Sequence, residues 1–300
     1  MGEDAILHKV LAGLHQTPDM ILGPGDDCAV LQFGTRWLLA AADQVVSEVH
    51  YRADDTAPEE IAAKVLKRNL SDIAAMGGVP RWALLTLAAT PREEEWLERF
   101  FAGLEETARR YQVAVAGGDL GSIPGRERRE YASLTILGEV EPERLCRRDA
   151  ARPGEVLMVT GELGNSFSSR HHLTFEPRLE EARFLADGRT KCMMDLSDGL
   201  GQDLRRLGRA SQVAFALDGA ALPCRAGADV RGAMCDGEDY ELVFTVAPER
   251  VNALLREWPF ATRLSKVGQV TEGVPGSWTL DWRGGKVTEK EIHGYEHFQA

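Results

Sequence analysis

The sequence predicts an α/β (α+β) architecture in two domains, and three observations carry that expectation. Apolar runs of strand length alternate with stretches of helical periodicity along the whole chain. Proline-bearing capping signatures open two of the helical stretches. A charged, turn-rich segment poor in apolar residues, CRRDAARPGE at 146–155, divides the chain. The expected domains are residues 1–145 and 146–300.

Leu7, Val10, Leu11 and Leu14 recur at helical spacing over residues 5–14. A loop with Pro18, Gly23 and Pro24 leads to GPGDDCAVL (23–31), whose tail reads as a short strand. WLLAAADQVV (37–46) is apolar and then acidic, which predicts a buried strand ending at Asp43. Thr56-Ala-Pro-Glu59 is a capping-box pattern; the helix it opens is expected to reach Met76, where Gly77-Gly78 stops it. Thr90-Pro-Arg-Glu93 repeats the pattern before a second helix running to about Arg110. WALLTLAA (82–89), VAVAG (113–117) and YASLTILGEV (131–140) supply the remaining strands of this half. The second half alternates again. Strand 155–160, helical material near 163–187, strand 191–196 and a helix from 199 to 210 come first. Strand 241–247, helix 248–257 and a closing strand region follow.

Composition bounds the function. Over 300 residues, 44% are hydrophobic and 27% charged, as in a globular protein, and no apolar run reaches bilayer length. The N-terminal MGEDAILHKV carries Glu3 and Asp4 and no basic region, so it does not read as a signal peptide, and a cytoplasmic location is expected. Cys28, Cys146, Cys192, Cys224 and Cys235 are scattered, odd in number and without a CxxC pair, which argues against a disulfide framework or structural zinc. The net charge of −12 repels a phosphate backbone, so nucleic acid is not an expected partner, and without a bilayer-length apolar run neither is a membrane. Anionic substrates would need cations, divalent ones above all.

Acids gather in short motifs at expected strand ends and turns: Gly25-Asp26-Asp27, Asp43, Gly117-Gly118-Asp119 and Asp195-Leu-Ser197-Asp198-Gly199. Asp72 lies in NLSDIAAMGG (69–78), on the same helical face as Asn69 and beside apolar Val65, Leu66, Ile73 and Met76. Taken singly, an Asp before Gly is a turn or cap residue. As a set, unpaired carboxylates brought together would repel and some would protonate, unless they share a cation. An all-oxygen cluster of this kind suits Mg²⁺, which takes a few carboxylates plus substrate phosphates, and few basic residues are needed when the metal itself supplies the positive charge. Neither a GxxxxGK[ST] loop nor an HRD and DFG pair is present, and no HExxH or Ser-His-Asp arrangement occurs.

In order, GDD, Asp43 with His50 seven residues on, NLSDIAAMGG, GGD, DLSDGL and GEDYEL resemble the thiamine-monophosphate kinase family, within the group that contains aminoimidazole ribonucleotide synthase. The resemblance runs from residue 23 to GYEHF (294–298). It implies a two-domain aminoimidazole ribonucleotide synthase-like fold, a homodimer formed through the N-terminal sheet, and ATP held between the domains. It implies Asp27, Asp43, Asp72, Asp119, Asp195 and Asp198 as magnesium ligands, direct or through water. It implies Gly117, Gly118, Arg148 and Ser197 as ATP contacts, with Phe101 where the family has a base-contacting tyrosine. His50, Glu238 and Tyr295 are implied to touch the phosphorylated substrate, thiamine monophosphate. The implied chemistry is in-line transfer of the γ-phosphoryl of ATP to that phosphate, carried by alignment and charge neutralisation with no protein nucleophile. Three features depart from the family pattern: Ala41-Ala42 replaces Ser-Thr, the stretch after GELGNS (161–166) is shortened, and Asp236 stands where a glycine is usual. A divergent kinase with another acceptor, or a nucleotide-binding relative without activity, are the competing expectations.

Overall fold

The computed structural model describes residues 10–11, 13–90, 94–125 and 129–292, and holds two sheets. The N-terminal half runs β1 (Met20–Leu22), β2 (Ala29–Phe33), β3 (Arg36–Val46), α1 (Pro58–Ala75), β4 (Val79–Ala89), α2 (Glu94–Arg110), β5 (Ala114–Ser122) and β6 (Glu130–Val140). Its six strands lie in the order β1-β2-β3-β6-β4-β5, antiparallel except for the parallel β4–β5 pair, which α2 connects. The C-terminal half follows as β7 (Val156–Thr160), α3 (His171–Thr174), α4 (Leu179–Ala186), β8 (Met193–Asp195), α5 (Leu200–Ser211) and β9 (Ala214–Asp218). It closes with α6 (Val230–Cys235), β10 (Leu242–Val246), α7 (Pro248–Glu257), β11 (Leu264–Thr271), β12 (Trp278–Trp282) and β13 (Gly285–Thr288). These seven strands form the sheet β13-β12-β9-β11-β7-β10-β8. The expected mixed α and β content is borne out, and the mostly antiparallel pairing places the fold at the α+β end of that expectation.

Helix α1 joins the halves. Ile61, Val65, Leu66, Leu70 and Ile73 pack on Leu39, Val45, Leu85, Leu134 and Ile136 of the first sheet, with Phe100 and Leu104 of α2 beside them. One turn later Ala74 and Ala75 belong to a cluster with Met193, Leu242, Phe244 and Leu185 of the second half. A helix buried on nearly every side must also bury polar residues, and Lys64, Lys67, Arg68, Asn69 and Ser71 are all buried. Each therefore needs a partner or a purpose.

Three boundaries differ from expectation. The cap of α1 sits one residue later, at Ala57, which offers no side-chain acceptor, so only the return half of the capping box forms, the Ala57 N–H donating to Glu60 Oε2 at 3.0 Å. Strand β3 does not end at Asp43 but continues to Val46, because β6 pairs with it down to Val46↔Tyr131. Strand β5 likewise runs through Gly117-Gly118-Asp119, which pair with Leu84, Leu85 and Thr86. Both acids are thus mid-strand residues whose side chains project from a sheet face. The short β1, β9 and α6 are not anticipated by periodicity, and the 5–14 and 90–93 signatures fall largely outside the described residues.

Candidate active site

Asp27, Asp72 and Asp195 converge: one carboxylate oxygen from each lies within 4.8 Å of the others. Asp27 comes from the loop before β2, Asp72 from the last turns of α1, and Asp195 from the end of β8. Two halves of the chain therefore build one cluster. Burial, then the charges of Asp43, Asp195 and Asp27, push the Asp72 carboxyl well above the carboxylate range. Asp195 is raised too, by burial first and then by Asp27, while Ser71 Oγ donates to its Oδ2 at 2.7 Å and opposes the rise. Hard oxygen donors whose negative charge is unwelcome without a cation make a set suited to Mg²⁺.

The cations in place are more numerous than sequence suggests. Arg148 donates from Nη2 to Asp27 Oδ1 at 2.5 Å and from Nε to Asp27 Oδ2 at 3.2 Å, and its backbone N–H donates to Asp26 Oδ2 at 3.0 Å. Asp26, pushed up to about 7 by burial and by Asp27, is part of this arrangement. Arg68 donates from Nε to Asp43 Oδ2 at 2.9 Å. Asn69 Oδ1 accepts the Asp43 N–H at 3.0 Å, which pins Asp43 beside the cluster. Protein cations thus offset part of the charge that the burial of this many acids creates.

Next to the cluster, a small cavity is lined by Val49, His50, Arg68, Phe167, Ser197, Asp198, Asp236 and Glu238. Lys64 Nζ donates to His50 O at 2.7 Å and is ion-paired with Glu238. His50 Nδ1 accepts the Val46 N–H at 3.1 Å. Burial and Arg68 push this imidazole down to about 4, so it is neutral at pH 7. The loop that carries Glu238 is laced to the DLSD loop: Glu238 N donates to Ser197 O at 2.7 Å and Tyr240 N to Leu196 O at 2.8 Å. Gly237 makes that approach possible; at φ 68, a Cβ there would stand 2.8 Å from Ser197 O. Asp203 completes the loop by accepting the N–H groups of Ser197 and Asp198, both at 3.1 Å. Asp198 is ion-paired with Arg206 at the cavity wall.

A second groove holds Gly117, Gly118 and Asp119 with Phe101, Leu85, Leu104, Val115 and Leu120, a space of about 390 Å³. Asp119 is exposed there, outside the three-carboxylate cluster. Of the sequence candidates, then, Asp27, Asp72 and Asp195 meet, with Asp43 and Arg148 bonded around them. His50, Ser197, Asp198 and Glu238 line the adjoining cavity, and Gly117, Gly118, Asp119 and Phe101 share the groove. Tyr295 lies outside the described residues. Sequence reasoning saw Asp26 in its motif but gave it no role, and missed Lys64, Arg68, Asp203 and Tyr240. A signal existed for Lys64 and Arg68: with Asp72 they follow one another at intervals of four on α1, so all three point the same way.

Comparison with known proteins agrees with this geometry. Residues 25–140 match the AIR synthase related protein, N-terminal domain. A thiamine-monophosphate kinase of Rhodopirellula baltica is 36% identical, over 92% of this chain and 91% of the relative. One of Escherichia coli K12 is 32% identical, over 93% of each chain. A solved structure described as AaThiL complexed with AMPPCP and TMP superposes with a TM-score of 0.83 at 28% identity, covering 99% of this chain and 97% of that one. Fold, carboxylate cluster and full-length similarity together place this chain in the thiamine-monophosphate kinase family.

Proposed function

We propose that the chain transfers the γ-phosphoryl group of ATP to the phosphate of thiamine monophosphate. An acceptor phosphate oxygen bonds to the γ-phosphorus, the bond from that phosphorus to the β–γ bridging oxygen breaks, and thiamine diphosphate and ADP leave. The observation that carries this reading is the meeting of Asp27, Asp72 and Asp195 beside a cavity lined by His50, Ser197, Asp198 and Glu238. Relatives of matching length bear the name of that activity, and one was solved with AMPPCP and TMP.

The donor set fits magnesium, since it is all oxygen and buried enough for its charge to call for a cation. Asp27, Asp72 and Asp195 would hold it, with Asp43, Asp119 and Asp198 serving directly or through water. When bound, it supplies charge neutralisation to the phosphates. The chain itself supplies position. Gly117, Gly118, Arg148, Ser197 and Phe101 would take ATP, and His50, Glu238 and Tyr295 the acceptor. A phosphate acceptor is already ionised near neutral pH, so no general base is needed. His50 suits that scheme: its Nδ1 is engaged by Val46 and the ring stays neutral.

A homodimer formed through the N-terminal sheet belongs to this reading. All nine residues of β5 are exposed, and Trp82, Leu84, Val115 and Leu120 present apolar surface on β4 and β5. An edge strand so placed invites a second copy. The two sheets support domains of 1–145 and 146–300. Among the described residues no helix is long and apolar enough to cross a membrane, in keeping with a cytoplasmic enzyme. The test is direct: incubate the purified protein with Mg²⁺, ATP and thiamine monophosphate, and read the products by mass spectrometry. Formation of the diphosphate is expected; ATP binding without it would defeat the reading.

A further inference from the structure

We infer that Arg68 is the residue that binds the phosphate of the acceptor, a phosphate monoester dianion, at the cavity beside the carboxylate cluster. The inference deepens the proposed reaction and rests on it. Arg68 stands on α1 with only 10% of its side chain exposed. Its Nε is committed to Asp43 at 2.9 Å. Its Nη1 is buried with no hydrogen-bond partner, and the nearest acid, Glu238 Oε1, is 3.8 Å away. Burying a guanidinium with an unmet N–H is costly, so such a group points to an anion that completes it.

The neighbouring cations are already engaged. Lys64 is held by His50 O and Glu238, Arg148 by Asp27, Arg206 by Asp198, and Arg225 by Asp239. Arg68 alone among these lines the cavity with donor capacity unspent. The planar fork of a guanidinium matches two phosphate oxygens, which an ammonium would meet only as a point charge. Tyr240 backs it, with the guanidinium carbon 5.9 Å from the ring centroid. Position gives the role its chemistry. Arg68 reaches Asp43 on the cluster side and faces Glu238 on the cavity side, so it sits between the nucleotide's expected metal site and the acceptor's expected seat. Two anions must approach there, and a fixed cation on the acceptor side lowers their repulsion independently of magnesium.

The test is equilibrium binding, by calorimetry, of thiamine monophosphate and of thiamine to the wild type, Arg68→Lys and Arg68→Gln, with Mg²⁺ and a non-hydrolysable ATP analogue present. Arg68→Gln is expected to weaken the monophosphate by about 10- to 100-fold, the worth of hydrogen bonds to a charged group, and to leave thiamine unchanged. Arg68→Lys should recover part of the loss. Analogue affinity and the unfolding midpoint report whether either variant is merely misfolded. Equal weakening of both thiamine compounds, or none, overturns the assignment. Inorganic phosphate, followed by ³¹P line broadening, separates this inference from the choice of acceptor. If the wild type takes neither thiamine compound, the acceptor reading fails; phosphate bound by the wild type and lost in Arg68→Gln still upholds Arg68. Phosphate bound alike by both proteins, or by neither, overturns it.

Discussion

Ser71 Oγ donates to Asp195 Oδ2 at 2.7 Å, a hydrogen bond from the NLSD helix of one half to the DLSD strand of the other. The bond orients one carboxylate of the cluster and favours its ionised form against burial. A partner of this kind tunes a metal ligand without touching the metal. Replacing Ser71 with Ala should therefore weaken Mg²⁺ by about 10-fold or more while leaving both sheets intact. The Mg²⁺ dependence of turnover measures it, and an unchanged dependence would show that Asp195 needs no such support.

Asp72→Asn separates function from stability. Asp72 sits among Asp43, Asp195 and Asp27, each of which raises its carboxyl. In the metal-free cluster that carboxyl is already driven towards its neutral form, burial first, so an amide of the same shape costs little and the protein should unfold at the same temperature or higher. Turnover should nevertheless fall roughly 10²–10³-fold, the scale of losing one preorganised group that stabilises transition-state charge. Near-normal turnover would remove Asp72 from the metal set, and a lower melting temperature would show that its carboxyl stabilises the metal-free fold.

Much of this site is legible in sequence because short motifs carry it. GDD, NLSD and DLSD each bring an acid to the cluster, and an apolar run or helical period around each motif reveals the element that presents it. What stays hidden is pairing. Nothing in VAVAG signals that β5 continues through Gly117-Gly118-Asp119, since that follows from parallel pairing with β4. The doublet reads as a phosphate cradle, yet Gly118 has a second reason to be glycine: a Cβ there would stand 1.7 Å from Leu85 O. Basic partners are hidden for the same reason. Arg148 meets Asp27 across 121 positions, and spacing says nothing about so distant a contact. Lys64 and Arg68 were within reach through their four-residue interval to Asp72, but on a mostly apolar helix such residues read as solvated edge rather than as buried charge.

Arg148 carries a stability prediction. Its fork holds Asp27 through two hydrogen bonds, and Ser211 Oγ fixes its carbonyl at 2.5 Å. Arg148→Ala would leave Asp27 buried beside Asp26, Asp72 and Asp195 without compensation. Breaking a buried pair from one side costs about 3–5 kcal/mol, and chemical denaturation should show a loss of that order. Added Mg²⁺ should restore part of it, because a cation that binds only the folded cluster stabilises it by mass action. A variant as stable as the wild type would mean that the cluster tolerates its own charge.

His50 makes stability depend on acid. Burial first, then Arg68 and Lys64 nearby, disfavour a positive charge on the ring, while Glu238 and Asp43 oppose them, and its Nδ1 accepts from Val46 N–H, an arrangement only a neutral ring provides. The ring titrates at about 4 in the folded chain against an ordinary 6.5. Between those values the unfolded chain binds more protons than the folded one, so stability rises with pH there and is lost as pH falls from 6.5 to 4. The full contribution is present above 6.5, and for one histidine shifted this far the loss is at most about 3 kcal/mol. His50→Asn keeps an acceptor oxygen near the Nδ1 position and cannot titrate. Denaturation of both proteins across pH 7.5 to 4 should therefore show the wild type losing stability relative to the variant on the acid side, while other titrating groups largely cancel. A difference that stays flat with pH would mean that His50 is protonated as readily in the folded chain as in the unfolded one.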